Sequence, residues 1–308
     1  MGERIAVLVP CLDEALTVAK VVQDFQRELP GAAVYVYDNG SRDDTARVAA
    51  EAGAVVRREK RKGKGFVLAR MLDEVDADLY VLVDGDDTYS AESVHALLAP
   101  VRAGDADMAV GDRLQVFDQG SFRPAHHFGN RLVASTINLT FGAQLRDVMS
   151  GLRVFHREVV ERVPVVSRGF EIETALTLQC LHRDMVIVEL PVPYRGRPEG
   201  SHSKLRTLHD GARVLITIAD VLKAYRPLLS FAGVAAVLAL ASVLLAFVPV
   251  GELNALGRTT HWTALLTALA LGLGAALSLT CGLVLDGVNH RLREVERVAL
   301  KRPRRSVT

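Results

Sequence analysis

Along the first hundred residues, short apolar runs alternate with stretches of helical period. Ile5-Ala-Val-Leu-Val9 reads as a strand ended by Pro10, and Asp13-Glu14 stand where a helix to about Leu29 would be capped. Val34-Tyr-Val-Tyr37 is the next strand. It closes in Asp38-Asn-Gly-Ser41, and the caps available in Ser41 and Asp43 predict a helix through Ala52. Ala54-Val-Val56 is a third strand, and Lys60-Arg-Lys-Gly-Lys-Gly65 precedes a helix from Phe66 to about Glu74. Leu79-Tyr-Val-Leu-Val83 is a buried strand that stops abruptly in Asp84-Gly-Asp-Asp-Thr88. Strands alternating with helices across short connections predict an α/β domain built on a parallel sheet wound with helices.

The pattern changes near the C-terminus. Leu228 to Val250 and Trp262 to Leu285 carry no charged residue, and each exceeds the about 20 apolar residues needed to cross a hydrocarbon core. One such run could be a buried core helix; two in tandem, separated only by 251–261, predict a transmembrane hairpin. Arg206, Arg213, Lys223 and Arg226 precede the first run. Arg291, Arg293, Arg297, Lys301, Arg302, Arg304 and Arg305 follow the second, and the loop between has only Arg258. The positive-inside rule therefore puts both termini and the N-terminal domain in the cytoplasm. Between domain and hairpin, Val214, Leu215, Ile218, Val221 and Leu222 alternate with Arg213, Asp220 and Lys223 at helical spacing. That segment is an amphipathic helix on the membrane surface or an ordinary helix packed on the domain. The expected division is a catalytic domain over 1–205, an interfacial helix over 206–227, two spans within 228–285 and a basic tail over 286–308.

Composition adds little that the pattern lacks. The chain of 308 residues is 49% hydrophobic, with a net charge of +1 that hides the basic flanks of the spans. A basic tail can bind nucleic acid, but a juxtamembrane cluster more often meets anionic lipid headgroups, and no nucleic-acid partner is expected. Met1 to Arg4 runs straight into a strand, so no secretory signal is expected. Cys11, Cys180 and Cys281 are odd in number and scattered, which excludes a disulfide framework and offers no metal spacing.

The chemistry gathers where strands end. In an open α/β sheet those ends share one edge, and ligands bind in the crevice outside it. Asp84 and Asp86 flank Gly85, so a sharp turn would let both carboxylates address one hard cation able to grip a diphosphate. Alone, this pair reads as readily as a solvated acidic turn, and Asp13 and Asp43 as helix caps. Asp38 and the pair together are not explained that way. Lys62-Gly-Lys64-Gly65 offers positive charge and bare amides to phosphate oxygens. It lacks the Walker spacing, and no Gly-x-Gly-x-x-Gly follows the first strand, so ATPase and nicotinamide chemistries fall away.

Pro10-Cys-Leu-Asp13-Glu14, Asp38-Asn-Gly-Ser41, Gly63-Lys-Gly65 and Asp84-Gly-Asp86 resemble the nucleotide-sugar motifs of family 2 glycosyltransferases of the GT-A fold. They are most similar to those of the dolichol-phosphate mannose synthase and polyprenyl-phosphate glycosyltransferase branch. The resemblance continues through Gly111-Asp-Arg113, Asn130-Arg131 with Ser135, Asp147-Val-Met-Ser-Gly-Leu-Arg153, Gly169-Phe-Glu171-Ile-Glu173 and Tyr194-Arg-Gly-Arg197-Pro-Glu-Gly-Ser-His-Ser203-Lys204, over roughly residues 4 to 215. It implies a Rossmann-like mixed sheet. It also implies inverting, metal-dependent transfer of one sugar from UDP-glucose or GDP-mannose to a dolichyl or undecaprenyl phosphate, with UDP-glucose favoured by the two-span anchor.

The resemblance also implies roles. Pro10, Asp13, Glu14, Asp38, Gly40 and Ser41 would shape the base and ribose pocket, with Lys64, Gly65, Asp84 and Gly85 completing the donor site. Asp86, with Thr88, would hold Mg2+ or Mn2+. Arg113, Arg131, Arg197 and Lys204, with Ser135, would hold the acceptor phosphate, or the basic residues the donor diphosphate, and Asp84, Asp86, Arg113, Arg131, Arg197 and Lys204 form the catalytic set. Asp13 stands where the family usually has Asn, Asn39 where a second Asp is common, and Thr88 where many relatives place a metal-binding Gln. Asp87 or water would then serve as a further metal ligand. A lipid phosphate is already ionised, so no general base is needed; a diacylglycerol acceptor would need one, and a catalytically silent membrane scaffold would need neither. A mobile loop over the acceptor site is expected near 115–127, and a hairpin this small could pack against copies of itself.

Overall fold

The computed structural model describes residues 2–114, 124–164, 172–198, 216 and 219–300. The chain forms two units, Met1–Val214 and Leu215–Thr308. In the first, seven described strands make one sheet: β1 (Ile5–Cys11), β2 (Ala33–Asp38), β3 (Val55–Arg58), β4 (Leu79–Leu82), β5 (Met108–Asp112), β6 (Arg153–His156) and β7 (Ile187–Pro191), in the order β3-β2-β1-β4-β6-β5-β7. β1 to β4 are mutually parallel, as are β5 and β7, while β6 runs antiparallel to both β4 and β5. This is the GT-A-type mixed sheet.

The alternation of side chains along β1 explains its two covered faces. Val7 and Val9 pack with Val18, Val22 and Phe25 of α1 (Val18–Glu28) and with Leu97 and Leu98 of α4 (Val94–Ala103). Ala6 and Leu8 face the opposite cluster. There Leu68 and Met71 of α3 (Lys64–Glu74), Val159 of α6 (Arg157–Arg162) and Leu176 of α7 (Ile172–His182) close the core. Burying each large aliphatic side chain contributes about 1.5–3 kcal/mol. Tyr80 and Phe155, directly opposed on β4 and β6, stack with ring centroids 5.6 Å apart. Two further helices, α2 (Thr45–Glu51) and α5 (Pro124–Phe141), complete this unit.

Several expected boundaries shift for identifiable reasons. The first helix begins at Val18, not at Asp13-Glu14. Asp13 adopts φ +51°, donates its N–H to Ser41 Oγ at 2.9 Å and accepts from Arg42 N at 2.7 Å, so it ties two loops together and caps nothing. β3 extends to Arg58 because, on an edge strand, Arg57 and Arg58 can pair with Tyr37 and Asp38 while their heads stay in water. Gly85 is needed for room and not for a left-handed turn: a Cβ there would lie 2.5 Å from Cys11 Sγ. The left-handed residue of that loop is Asp87, at φ +56°.

In the second unit, α8 (Pro227–Leu256) and α9 (Trp262–Leu300) form an antiparallel hairpin, and both are long and apolar enough to cross a membrane. Ser242 Oγ donates to Ala268 O at 2.6 Å and Ser278 Oγ to Phe231 O at 2.9 Å, the interhelical bonds that small polar residues make in such pairs. α9 continues well past Leu285, where the tail was expected to start. The charged residues beyond 285 end the apolar run but are good helix formers, and the next proline is Pro303. Most of the expected interfacial helix lies outside the described residues, as do 115–123 of the expected loop, Glu171, Lys204 and the end of the tail; 124–127 belong to α5.

Candidate active site

Because β1 to β4 are parallel, their C-terminal ends deliver Asp13, Asp38, Arg58 and Asp84 to one edge. Asp38 is buried at the end of β2, opposite Cys11, and its Oδ1 accepts from Ser41 N at 3.0 Å. Its neighbour Asn39 fastens the basic loop to this edge. Asn39 Nδ2 donates to Arg61 O at 2.7 Å and Oδ1 accepts from Gly63 N at 2.8 Å, which sets the start of α3 beside Asp84. Thr17 Oγ1 donates to Gly85 O at 2.6 Å and so ties the acidic loop back to the turn before α1.

The lysine of that loop is committed to carboxylates. Lys64 Nζ bonds Asp84 Oδ1 at 2.5 Å and also pairs with Glu173 at the start of α7. Burial would discharge this ammonium, but Asp84 and Glu173 outweigh it and raise its pKa. Burial likewise pushes the Asp84 carboxyl up, and Lys64, helped by Arg113 and Arg197, reverses the sign and holds it below the usual carboxylate range. Behind Asp84 lies Gly151, where a Cβ would collide with the carboxylate.

Asp86 has a different environment. Thr88 Oγ1 donates to its Oδ1 at 2.6 Å, and Arg197 Nη2 bonds its Oδ2 at 2.6 Å while Nη1 reaches Glu14 Oε1 at 3.3 Å. Burial and the Asp84 charge raise the Asp86 pKa, against the pull of Arg197 and Thr88. Two carboxylates and a hydroxyl from one loop are hard oxygen donors, and a guanidinium already sits where positive charge is wanted, so the set fits Mg2+ or Mn2+. Asp87, the further ligand expected, has its Oδ1 accepting from Lys20 Nζ at 2.7 Å. No cluster of three or more His, Cys, Asp or Glu side chains suited to an ion occurs among the described residues.

A second cationic group lies beyond β5. Arg113 makes a two-pronged pair with the fully buried Asp147, Nε to Oδ2 at 2.7 Å and Nη2 to Oδ1 at 2.8 Å, and its guanidinium lies 5.3 Å from the Tyr194 ring centre. Asn130 Nδ2 also reaches Asp147 Oδ1, at 3.2 Å. Arg131 and Ser135 stand one turn apart on the exposed face of α5, and no described bond draws either to Arg113. Of the expected residues, the structure thus brings together two bonded groups, Lys64 with Asp84 and with Glu173, and Arg197 with Glu14, Asp86 and Thr88. It places Pro10, Asp38, Gly40, Ser41 and Gly65 along the same edge.

Three participants are given no role by the sequence, although Arg153 closes one of its motifs. Tyr89 receives Gly151 N–H at 2.7 Å on its hydroxyl. Arg153, fully buried, donates to Ser150 O and Val148 O at 2.9 and 2.8 Å and to Thr177 Oγ1 at 2.8 Å. Glu189 accepts both Arg146 N and Asp147 N. The only signal was an acid or a cation inside an otherwise apolar strand.

The model of Glycosyl transferase family 2 matches residues 6–163, from β1 through α6. The chain belongs to glycosyl transferase family 2. Among family 2 relatives, it is 32% identical over 233 residues to glycosyltransferase AglJ of Haloferax volcanii, covering 75% of this chain and 76% of that one. It is 28% identical to a dolichyl-phosphate hexose transferase of the same organism, covering 71% and 94%. Its fold matches the crystal structure of Mycobacterium tuberculosis glucosyl-3-phosphoglycerate synthase in complex with Mn2+, UDP and glucosyl-3-phosphoglycerate. The TM-score there is 0.59 at 24% identity, covering 72% of this chain and 80% of that one.

Proposed function

We propose that this family 2 glycosyltransferase moves one hexose from UDP-glucose or GDP-mannose to a polyprenyl phosphate, with inversion, and yields a lipid-linked sugar. A phosphate oxygen of the acceptor attacks the anomeric carbon, the bond from that carbon to the donor diphosphate breaks, and the nucleoside diphosphate leaves with the electron pair. No proton needs to move. The observation that carries this reading is that five carboxylates of the site each pair with a cation: Asp84 and Glu173 with Lys64, Asp86 and Glu14 with Arg197, Asp147 with Arg113. Such a site serves a nucleophile that arrives ionised better than a hydroxyl that needs a base.

Arg113 and Arg197 supply the guanidinium forks that suit phosphate oxygens, with Arg131, Ser135 and Lys204 assigned to the same acceptor. Asp38, with Pro10, Asp13, Gly40 and Ser41, would hold the nucleotide, and Asp84 the sugar or ribose. A divalent cation at Asp86 and Thr88 would offset the charge that builds on the leaving diphosphate. The Mn2+ and UDP held by the M. tuberculosis enzyme, and the dolichyl-phosphate acceptor in the name of the haloarchaeal relative, support this assignment. The hairpin would anchor the enzyme in the membrane with the catalytic unit and both termini cytoplasmic.

The test is to supply the purified full chain with Mn2+, radiolabelled UDP-glucose or GDP-mannose, and either polyprenyl monophosphate or diacylglycerol. Label should pass to the polyprenyl phosphate alone. Transfer to diacylglycerol, or none from either donor, would overturn the reading.

A further inference from the structure

The segment from Leu145 to Gly151 connects the two halves of the site: Asp147 at one end grips Arg113, and Gly151 at the other abuts Asp84. Side chains from several elements satisfy its backbone. Asn138 of α5 bonds both the N–H and the C=O of Leu145, Asn130 bonds Arg146 O, Arg153 bonds Val148 O and Ser150 O, and Tyr89 takes Gly151 N–H. The two successive N–H groups at its centre go to a single side chain. Glu189 of β7 accepts Arg146 N on Oε2 at 2.6 Å and Asp147 N on Oε1 at 2.9 Å.

Neutral alternatives do not fit that position. Two adjacent donors need two acceptors, and a carboxylate offers one oxygen to each; an amide would turn an NH2 group toward one of them. Glu189 makes this choice against its surroundings, because it is mostly buried and lies in the field of Asp112 and Asp147. Asp147, fixed at its own N–H, then has both carboxylate oxygens engaged by Arg113.

We propose that Glu189 is a positioning residue for the acceptor phosphate: it fixes the Arg146–Asp147 backbone so that Asp147 presents the Arg113 guanidinium in one orientation. This rests on the reading of Arg113 as an acceptor ligand. The sign of the effect is diagnostic. Removing a negative charge near a phosphate site should by electrostatics alone tighten binding, whereas loss of positioning should weaken it.

The full chain in detergent would be titrated with a short-chain polyprenyl monophosphate by calorimetry, and with Mn2+ by electron paramagnetic resonance. Glu189→Gln should weaken the polyprenyl phosphate about 10-fold, the effect of one spoiled charge-assisted hydrogen bond, and leave Mn2+ affinity within about two-fold. In an Arg113→Gln background the same change should add nothing. If Arg113→Gln itself leaves acceptor affinity intact, the reading of Arg113 fails. If Arg113→Gln weakens binding but Glu189→Gln leaves it equal or tighter, only the positioning role fails. Glu189→Asp, still charged but one methylene short of both amides, is the second variant and should shift in the same direction. Should neither variant melt cooperatively and bind Mn2+, Glu189 is structural and the inference is overturned.

Discussion

Lys64 shows how a single position can carry two meanings. In sequence it is a lysine among glycines before a helix, which suits a phosphate; in the structure its ammonium is spent on Asp84 and Glu173. Replacing it by methionine leaves two largely buried carboxylates without their cation, a loss of about 3 kcal/mol at neutral pH. The sign with pH follows from the Asp84 shift. A carboxyl held below its unfolded value contributes stability that is present above that value and lost as pH falls through the folded one. The deficit of Lys64→Met should therefore be present at pH 7 and shrink as pH falls below about 4, through the range where the Asp84 carboxyl protonates. Thermal melts of the two proteins across that range check it, and a deficit that grows in acid would refute the pairing. Buried Cys11 and Cys180 belong to the same scale: burial pushes the Cys180 thiol up to about 12 and Cys11 higher than its ordinary value, so neither should react with thiol reagents in the folded protein.

Elements decide what those residues can reach. The strand from Arg153 to His156 enters between β4 and β5 in the opposite direction to both, and this brings the 145–151 segment against the acidic loop after β4. Gly151→Ala would place a methyl group on the Asp84 carboxylate, so we expect a cost of about 1–3 kcal/mol from overpacking together with a larger loss in transfer rate, measured by melting and by product formation. Much of this level was legible beforehand. The first four strands, their acidic ends and the two apolar spans follow from periodicity and length alone, because those signals are local. The antiparallel strand, buried Arg153 and Glu189 do not: Thr177 lies 24 positions from Arg153 and Arg146 lies 43 from Glu189, and in the sequence a lone charge in an apolar strand looks the same whether it binds a ligand or the backbone. Helix starts were misjudged where Asp13 and Ser41 bond to each other across loops instead of capping their own helices.

For the whole molecule, the hairpin sets the environment in which the chemistry runs. Leu240, Val243, Leu244 and Phe247 on α8 and Leu266, Leu269, Leu273 and Leu277 on α9 are each more than half exposed, an apolar surface suited to lipid. High salt should not release the protein from membranes and detergent should. With Thr260→Cys in the loop between the helices, an impermeant thiol reagent applied from outside intact cells should label the protein, and labelling only after lysis would invert the proposed topology. Gly282 sets how closely the two helices approach, since a Cβ there would meet Phe231 Cβ at 2.8 Å; Gly282→Leu should pry the pair apart and lower the melting temperature in detergent.

Arg197 lies between Glu14 and Asp86, so the pocket carries a built-in placeholder for the ion it is proposed to take. Stripping with a chelator should then park the enzyme instead of wrecking it: carboxylates that would otherwise repel remain bridged, the melting temperature changes little, and activity returns on adding Mn2+. With Arg197→Gln the same treatment should leave a fragile protein that recovers only in part.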